Sequence, residues 1–310
     1  MQLVATRDGF GKALLKCGKE NKNIVSVEAD LGKSTRSNLF AKEFPERNFN
    51  VGIAEQNMML VAAGLASCGK IPFASTFAIF SERGFEQIRT SIARRNANVK
   101  IVGSHAGLLT GEDGSSAQAT EDIAIYRSLP NMAVVSPADA VEAEKATIAL
   151  IQHKGPAYLR LTREKVPVIF DDNHKFELGR GQLLRGGKDA AVIATGPLVA
   201  EALEAHEILK KEGISLRVIN MPTIKPIDDK LIVKAAKETK GIITAEDHNI
   251  IGGLGSAVAE VLAEKSPSRM VRIGMNDVFG ESGKPYELYE KYGLTSKHIA
   301  KEARQLLRKT

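Results

Sequence analysis

Short β-branched apolar runs alternate along this chain with amphipathic segments of helical length. That alternation is the pattern of parallel α/β sheets. Strand-like runs stand at 24–28, 49–53, 99–104, 133–136 and 157–161, and helix-like segments at 8–19, 55–67, 83–95, 120–128 and 138–152. Asp8 and Thr120 are placed to act as N-caps, and Pro137 stands where a new helix can begin. The rhythm breaks over 164–188, which is rich in charged residues and then in glycine, and reads as a connection with some local strand structure. It restarts with strands at 191–194, 216–219, 242–245 and 271–273. Helices are expected at 199–210 and 228–238, after the Gly-rich turn 250–256, and from 296. The fold class expected is α/β, with each half its own doubly wound unit. The expected division is a first domain over 1–165, a linker over 166–188 and a second domain over 189–310.

Composition sharpens this picture. A length of 310 residues favours two domains over one, and 43% hydrophobic with 26% charged residues is the balance of a globular protein, not a disordered one. No apolar run approaches the roughly eighteen residues of a membrane span. The first residues carry no basic segment followed by an apolar one, so no signal peptide is expected and a cytoplasmic location is. Cys17 and Cys68 lie in apolar, helix-like stretches without any CxxC, and both are expected to be reduced and buried. The formal net charge is +6, but the basic residues are dispersed and tryptophan is absent. Dispersion argues against nucleic acid and suits anionic small substrates.

Four segments carry candidate chemistry. In Asn50-Val-Gly-Ile-Ala-Glu-Gln-Asn57, Glu55 follows a strand and opens a helix. It either complements the helix dipole or, desolvated beside the apolar run Met58 to Ala66, holds and passes a proton. In the segment 72–80, Phe77 and Phe80 are three residues apart and are either core or an aromatic platform for a flat heterocycle. The loop 103–118 follows a strand carboxyl end, where open α/β sheets bind ligands. It presents His105, Glu112, Asp113, Ser115, Ser116 and Gln118. The turn Gly252-Gly-Leu-Gly-Ser256 fits neither GxGxxG nor a P-loop, and divides evenly between phosphate cradle and close packing. Neither HExxH nor GxSxG occurs, which leaves zinc-hydrolase and serine-triad chemistry without support.

Taken together, Gly52-Ile-Ala-Glu-Gln-Asn57, Ser75-Thr-Phe-Ala-Ile-Phe80, Gly111-Glu-Asp-Gly114, Ala245-Glu-Asp-His248 and Gly252-Gly-Leu-Gly-Ser-Ala-Val258 resemble the C-terminal half of a transketolase, over the whole chain and in order. The resemblance implies a pyrimidine-binding domain of the thiamine-diphosphate enzymes followed by a transketolase C-terminal domain. It implies that Glu55 is the activating glutamate that hydrogen-bonds N1′ of the aminopyrimidine, with Phe77 and Phe80 lining the pyrimidine pocket and Asp30 close to the cofactor. It further implies substrate-phosphate contacts from Arg7, Ser34, His105 and Arg163, and a sugar-hydroxyl contact from Asp113. Two positions depart from the family. Ala117 replaces a histidine that handles donor hydroxyls, and Arg83 replaces a tyrosine near the pyrimidine.

The Gly-Asp-Gly motif that holds Mg²⁺ and the diphosphate in the other half of a transketolase is absent from this sequence. The resemblance therefore implies an N-terminal partner subunit that binds Mg²⁺, no metal ligand in this chain, and a dimer of heterodimers. The activity implied is transfer of a two-carbon ketol unit between sugar phosphates, as in the pentose phosphate pathway. Alternatives are the β subunit of a 2-oxoacid dehydrogenase, an enzyme like 1-deoxyxylulose-5-phosphate synthase, and a non-catalytic partner subunit, for which Ala117 is the argument.

Overall fold

The computed structural model describes residues 2–308. Among the described residues fourteen strands are formed. They are β1 (Leu3–Ala5), β2 (Ile24–Glu28), β3 (Asn48–Asn50), β4 (Ile71–Phe77), β5 (Lys100–Ser104), β6 (Ala133–Val135), β7 (Ala157–Arg160) and β8 (Lys165–Pro167). The second half adds β9 (Gln182–Arg185), β10 (Ala190–Ala194), β11 (Leu216–Asn220), β12 (Thr223–Lys225), β13 (Ile242–Asn249) and β14 (Met270–Met275). Strands β2, β5, β7 and β10 are buried along their whole length, which is why they read as continuous apolar runs.

Seven strands form the first sheet, in the order β12-β6-β7-β5-β4-β2-β3. All its neighbours are parallel except β12, which runs antiparallel to β6. The chain leaves β2 for β3 on one side and then crosses to β4 on the other. The carboxyl ends of β2, β3 and β4 mark the switch point of the sheet, where open α/β sheets bind ligands. The second sheet has the order β14-β13-β10-β11-β9, with only β9 antiparallel. Because β12 follows β11 in sequence yet completes the first sheet, the two halves are stitched together rather than closed off from each other.

Buried polar groups fill the seam. Asp122, fully buried, accepts from Arg160 Nε at 2.8 Å and from the Tyr158 hydroxyl at 2.6 Å. Arg160 Nη2 reaches across to the Asp247 carbonyl at 2.8 Å. Asp139 caps the helix Ala140–Gln152 through the Glu142 N–H at 2.8 Å, while its other oxygen accepts from the N–H groups of Ile169 and Phe170 at 2.7 and 2.9 Å. The connection between the halves is thus fastened at its start. Glu142 extends the fastening, accepting from Asn220 Nδ2 at 2.7 Å and lying 3.2 Å from His174 Nε2.

Several sequence expectations are corrected. The first helix is Thr6–Glu20 with Ala5 at its N-cap, so Asp8 lies inside the first turn and caps nothing. The helix Asp122–Arg127 has Glu121 at its N-cap rather than Thr120, and the helix after Pro137 begins only at Ala140. The run 49–53 is strand only over β3, because the chain turns at Gly52 (φ +74°), whose N–H bonds the Asn50 side chain at 2.9 Å. The segment 83–95 is not one helix. It breaks into a 3₁₀ turn Glu82–Gly84, a helical turn Phe85–Gln87 and a π-helical stretch Ile88–Ala93. Cys17 is buried, but Cys68 is exposed, because it lies just past the last turn of the helix Glu55–Ser67. No helix among the described residues is long and apolar enough to cross a membrane.

Candidate functional site

All but Arg7 of the site residues expected from the sequence lie at the carboxyl edge of the first sheet. Asp30 and Ser34 come after β2, Glu55 after β3, Phe77 and Phe80 at the end of β4, His105 and Asp113 after β5, and Arg163 after β7. Arg7 opens the first helix after β1. The parallel arrangement brings the carboxyl ends of β2, β3, β4, β5 and β7 together, while β1, just before Arg7, pairs antiparallel with β8 in a two-stranded sheet of its own.

An unbroken run of contacts crosses this edge. Glu55, only 4% exposed, receives Arg83 Nη1 on Oε1 at 3.0 Å. The Arg83 guanidinium lies over the Phe80 ring, 4.4 Å from its centre. Phe80 stacks on Phe77 at 5.3 Å with 11° between planes, and Phe77 stacks on the His105 imidazole at 3.7 Å. His105 Nε2 lies 3.2 Å from Arg7 Nη1, which also donates to the Ser34 carbonyl at 2.9 Å. One end of the run is a buried carboxylate and the other a half-buried guanidinium, with flat rings between.

The sequence left Glu55 either a complement to the helix dipole or a desolvated acid, with no partner named. The structure buries it at the start of its helix and adds a cationic partner, and Arg83 is half exposed, so the pair reaches the surface. Phe77 and Phe80 are half-buried and stacked on one another, the arrangement of a platform rather than of a closed core.

His105 is 4% exposed and sits at φ +58°. Burial, with Arg7, Arg163 and Arg36 nearby, pushes its imidazole down to about 3. It is therefore neutral. Arginine can only donate, so Nε2 is the acceptor and Nδ1 carries the proton toward Ser104 Oγ at 3.0 Å. Arg163 donates to the Thr110 carbonyl at 2.6 Å and pairs with Asp113 at 3.2 Å and Glu112 at 3.7 Å. Arg36, which the sequence reading passed over, pairs with Asp8 at 2.6 Å. Arg7 differs from these two. Its hydrogen bonds are to a carbonyl and a neutral imidazole, and its buried Nε lacks a partner. A guanidinium so placed is suited to an anion.

Asp30 and Asp113 are exposed, and Asp30, at φ +60°, accepts from Asn50 Nδ2 at 3.2 Å. In the loop, Glu112, Ser115 and Ser116 are exposed, whereas Gln118 turns inward. Ala117 is buried.

The Gly252–Ser256 turn resolves toward packing. Glu246, fully buried, accepts from the N–H groups of Leu254 and Gly255 at 2.6 and 2.7 Å, so the helix start is already occupied by the chain's own carboxylate. His248 is held neutral, pushed down to about 4 by burial, with Nε2 accepting from Ala124 N–H at 3.3 Å.

Glu82 has one buried oxygen without a partner, and burial beside Asp122 and Glu121 drives its carboxyl up to about 9. Away from the run, a cleft of about 700 Å³ is lined by Arg127, Lys225, Asp229, Glu260 and Lys265. Arg127 pairs there with Glu260 and Lys265 with Asp229, while Lys225 donates to the Arg127 and Leu129 carbonyls.

Comparison with known proteins bears on the whole chain. Residues 2–168 match the transketolase pyrimidine binding domain, and residues 179–299 match the transketolase C-terminal domain. A chain from Methanocaldococcus jannaschii named as a transketolase C-terminal section is 49% identical, over 98% of this chain and 96% of that one. The 6-deoxy-6-sulfo-D-fructose transketolase subunit SqwH of Clostridium sp. is 41% identical, over 97% and 94%. Human transketolase is 40% identical over 99% of this chain, which spans 49% of the human protein. Among solved structures, a split gene transketolase, described as an inactive beta4 tetramer, superposes with a TM-score of 0.91 at 50% identity over 98% of both chains.

Proposed function

The chain belongs to the transketolase family, and from that premise we propose that it is the C-terminal subunit of a split, thiamine-diphosphate-dependent transketolase. In this reading it takes part in moving a two-carbon ketol unit from a ketose phosphate to an aldose phosphate, in the cytoplasm. The observation that carries the reading is the continuous run Arg7–His105–Phe77–Phe80–Arg83–Glu55. It sets a phosphate-binding cation at one end and a ring-binding carboxylate at the other.

The residues present fit the cofactor's ring. A buried carboxylate at 4% exposure beside stacked, half-buried phenylalanines matches an aminopyrimidine, which is flat and has a basic ring nitrogen. Thiamine diphosphate, when bound, supplies the carbanion chemistry that breaks and makes a bond beside a ketose carbonyl. Glu55 holds a hydrogen bond to the ring nitrogen, and Arg83 fixes the other side of its carboxylate. Phe77 and Phe80 orient the ring, and Asp30 borders the cofactor. Arg7, His105, Ser34 and Arg163 grip the sugar phosphate, and Asp113 reads a sugar hydroxyl. A neutral His105 serves as a hydrogen-bonding group and adds no charge to the site.

The diphosphate and Mg²⁺ fall to an N-terminal subunit, with two copies of each subunit forming a dimer of heterodimers. The M. jannaschii and Clostridium relatives, which this chain spans almost completely, support the split arrangement. The proposed domain division remains 1–165, 166–188 and 189–310.

The test is reconstitution with the N-terminal subunit, thiamine diphosphate, Mg²⁺, a ketose phosphate and an aldose phosphate. Wild-type chain gives ketol transfer. Glu55→Gln, with unchanged circular dichroism, loses about 100-fold or more in turnover, the scale of a lost proton-handling group. Wild-type-like turnover by Glu55→Gln, or no transfer by the wild-type assembly, refutes the reading.

A further inference from the structure

The second half of the chain is not in the run of site residues, yet it surrounds the loop that bears Asp113. Leu108 N–H donates to Asp247 Oδ1 at 2.9 Å, and Asp247, 1% exposed, receives the Tyr289 hydroxyl on Oδ2 at 2.9 Å. Gly107, at φ +73°, leaves room for that carboxylate, since a methyl group there would overlap it. At the far end of the loop Gly114, at φ +79°, does the same for the Ser282 hydroxyl. Between them, Gln118 Nε2 donates to the Gly111 carbonyl at 3.1 Å and to the Glu281 carbonyl at 2.9 Å, joining loop and second half through one amide. The helix Pro285–Tyr292, which carries Tyr289, packs against the same loop.

The loop in turn holds the phosphate-facing groups. Thr110 Oγ1 donates to the His105 carbonyl at 2.6 Å, and the Thr110 carbonyl receives Arg163 Nη1 at 2.6 Å. Displacing the segment 107–114 would therefore move both His105 and Arg163. These contacts come from three separate parts of the second half, namely the end of β13, the segment 281–282 and the helix Pro285–Tyr292.

From this geometry we infer that the second half of the chain is the mould for the substrate loop, with Asp247, Tyr289 and Gln118 as positioning residues for the sugar-phosphate grip. None of the three is in the run of contacts that reaches Glu55; they act through Leu108, Gly111 and Thr110. The inference rests on the transketolase reading only for the identity of what is gripped.

Its test has two readouts. The first is amide hydrogen exchange by mass spectrometry on the full chain, with Gln118→Leu and the milder Tyr289→Phe. Exchange over 107–114 rises about tenfold in each, the scale of one lost hydrogen bond, while peptides covering β2, β4 and β5 stay protected as in wild type. The second is the reconstituted enzyme. There KM for the phosphorylated acceptor rises about tenfold, while kcat and the affinity for thiamine diphosphate stay within about threefold. Unchanged loop exchange in both variants overturns the inference, as does a uniform loss of protection across β2, β4 and β5 in the Tyr289→Phe chain. The exchange readout needs no turnover. A wild-type assembly that fails to transfer ketol units sinks the functional reading and leaves the loop inference decided on its own data.

Discussion

Single side chains here carry charge states that sequence position does not reveal. Burial holds His105 near 3 and His248 near 4, each below the ordinary histidine value of 6.5. Between those values and 6.5 the unfolded chain binds protons that the folded chain refuses, so stability falls as pH drops through that window. Glu82 acts in the opposite sense. Its carboxyl, raised from 4.5 to about 9, keeps a proton in the folded chain that the unfolded chain has released, so its contribution falls as pH rises between those values. Urea midpoints measured from pH 4 to 9 are expected to decline at both ends. His248→Gln, which can still accept from Ala124 N–H and donate to the Asn249 carbonyl, flattens the acid limb. An acid limb as steep in the variant as in the wild type would remove His248 from the account. Glu55 and His105 were legible as residues worth attention because they follow strand ends, and Phe77 and Phe80 because they stand three residues apart. The Arg83 partner of Glu55 was legible only as a substitution, since its guanidinium reaches Glu55 from 28 positions away.

Among elements, parallel strands such as β2, β5 and β10 were the most legible, since burial on both faces writes them as continuous apolar runs, but the parallel strand β4 was missed, because Pro72, Ser75 and Thr76 interrupt its apolar run. The short edge pieces β1, β8, β9 and β12 were not, because three or four residues leave no periodicity to detect. Helix starts were misplaced for a related reason. Asp8 and Thr120 have the chemistry of caps, yet helix Thr6–Glu20 starts without a side-chain cap, and the second helix starts two residues beyond Thr120. Asp139 is the contrasting case, a buried cap that also anchors residues 169 and 170. Asp139→Ala is expected to lower the unfolding free energy by about 2 kcal/mol or more, from the lost cap and two unpaired N–H groups. Chemical denaturation measures this, and a change under about 0.5 kcal/mol, the low end for a lost cap, would show that the connection does not depend on it.

At the scale of the molecule, the carboxyl edge of one sheet and the packing of the second half against it define the site. In the functional reading a single chain holds half of a cofactor site. The chain alone is expected to give no ketol transfer in a turnover assay, and native mass spectrometry is expected to show a complex with two copies of each subunit once the N-terminal subunit is added. A fully active homo-oligomer of this chain would contradict that arrangement. The exposed Ile53, at 77%, lies two residues before Glu55 and gives this edge an apolar rim suited to burial in such an assembly.

The sequence by itself determined the α/β alternation, the two-part organisation and the strand-end positions of Glu55 and His105. These follow from local periodicity and chain order, which need no knowledge of distant contacts. Tertiary structure alone decided that Arg83 pairs with Glu55, that Glu246 fills the glycine turn in place of a phosphate, and that β12 crosses between sheets. It also decided that Asp247 and Gln118 mould the loop. Each of these depends on groups far apart in sequence meeting at hydrogen-bond distance in a low-dielectric interior, where pairing is strongly favoured and no local pattern records the partner.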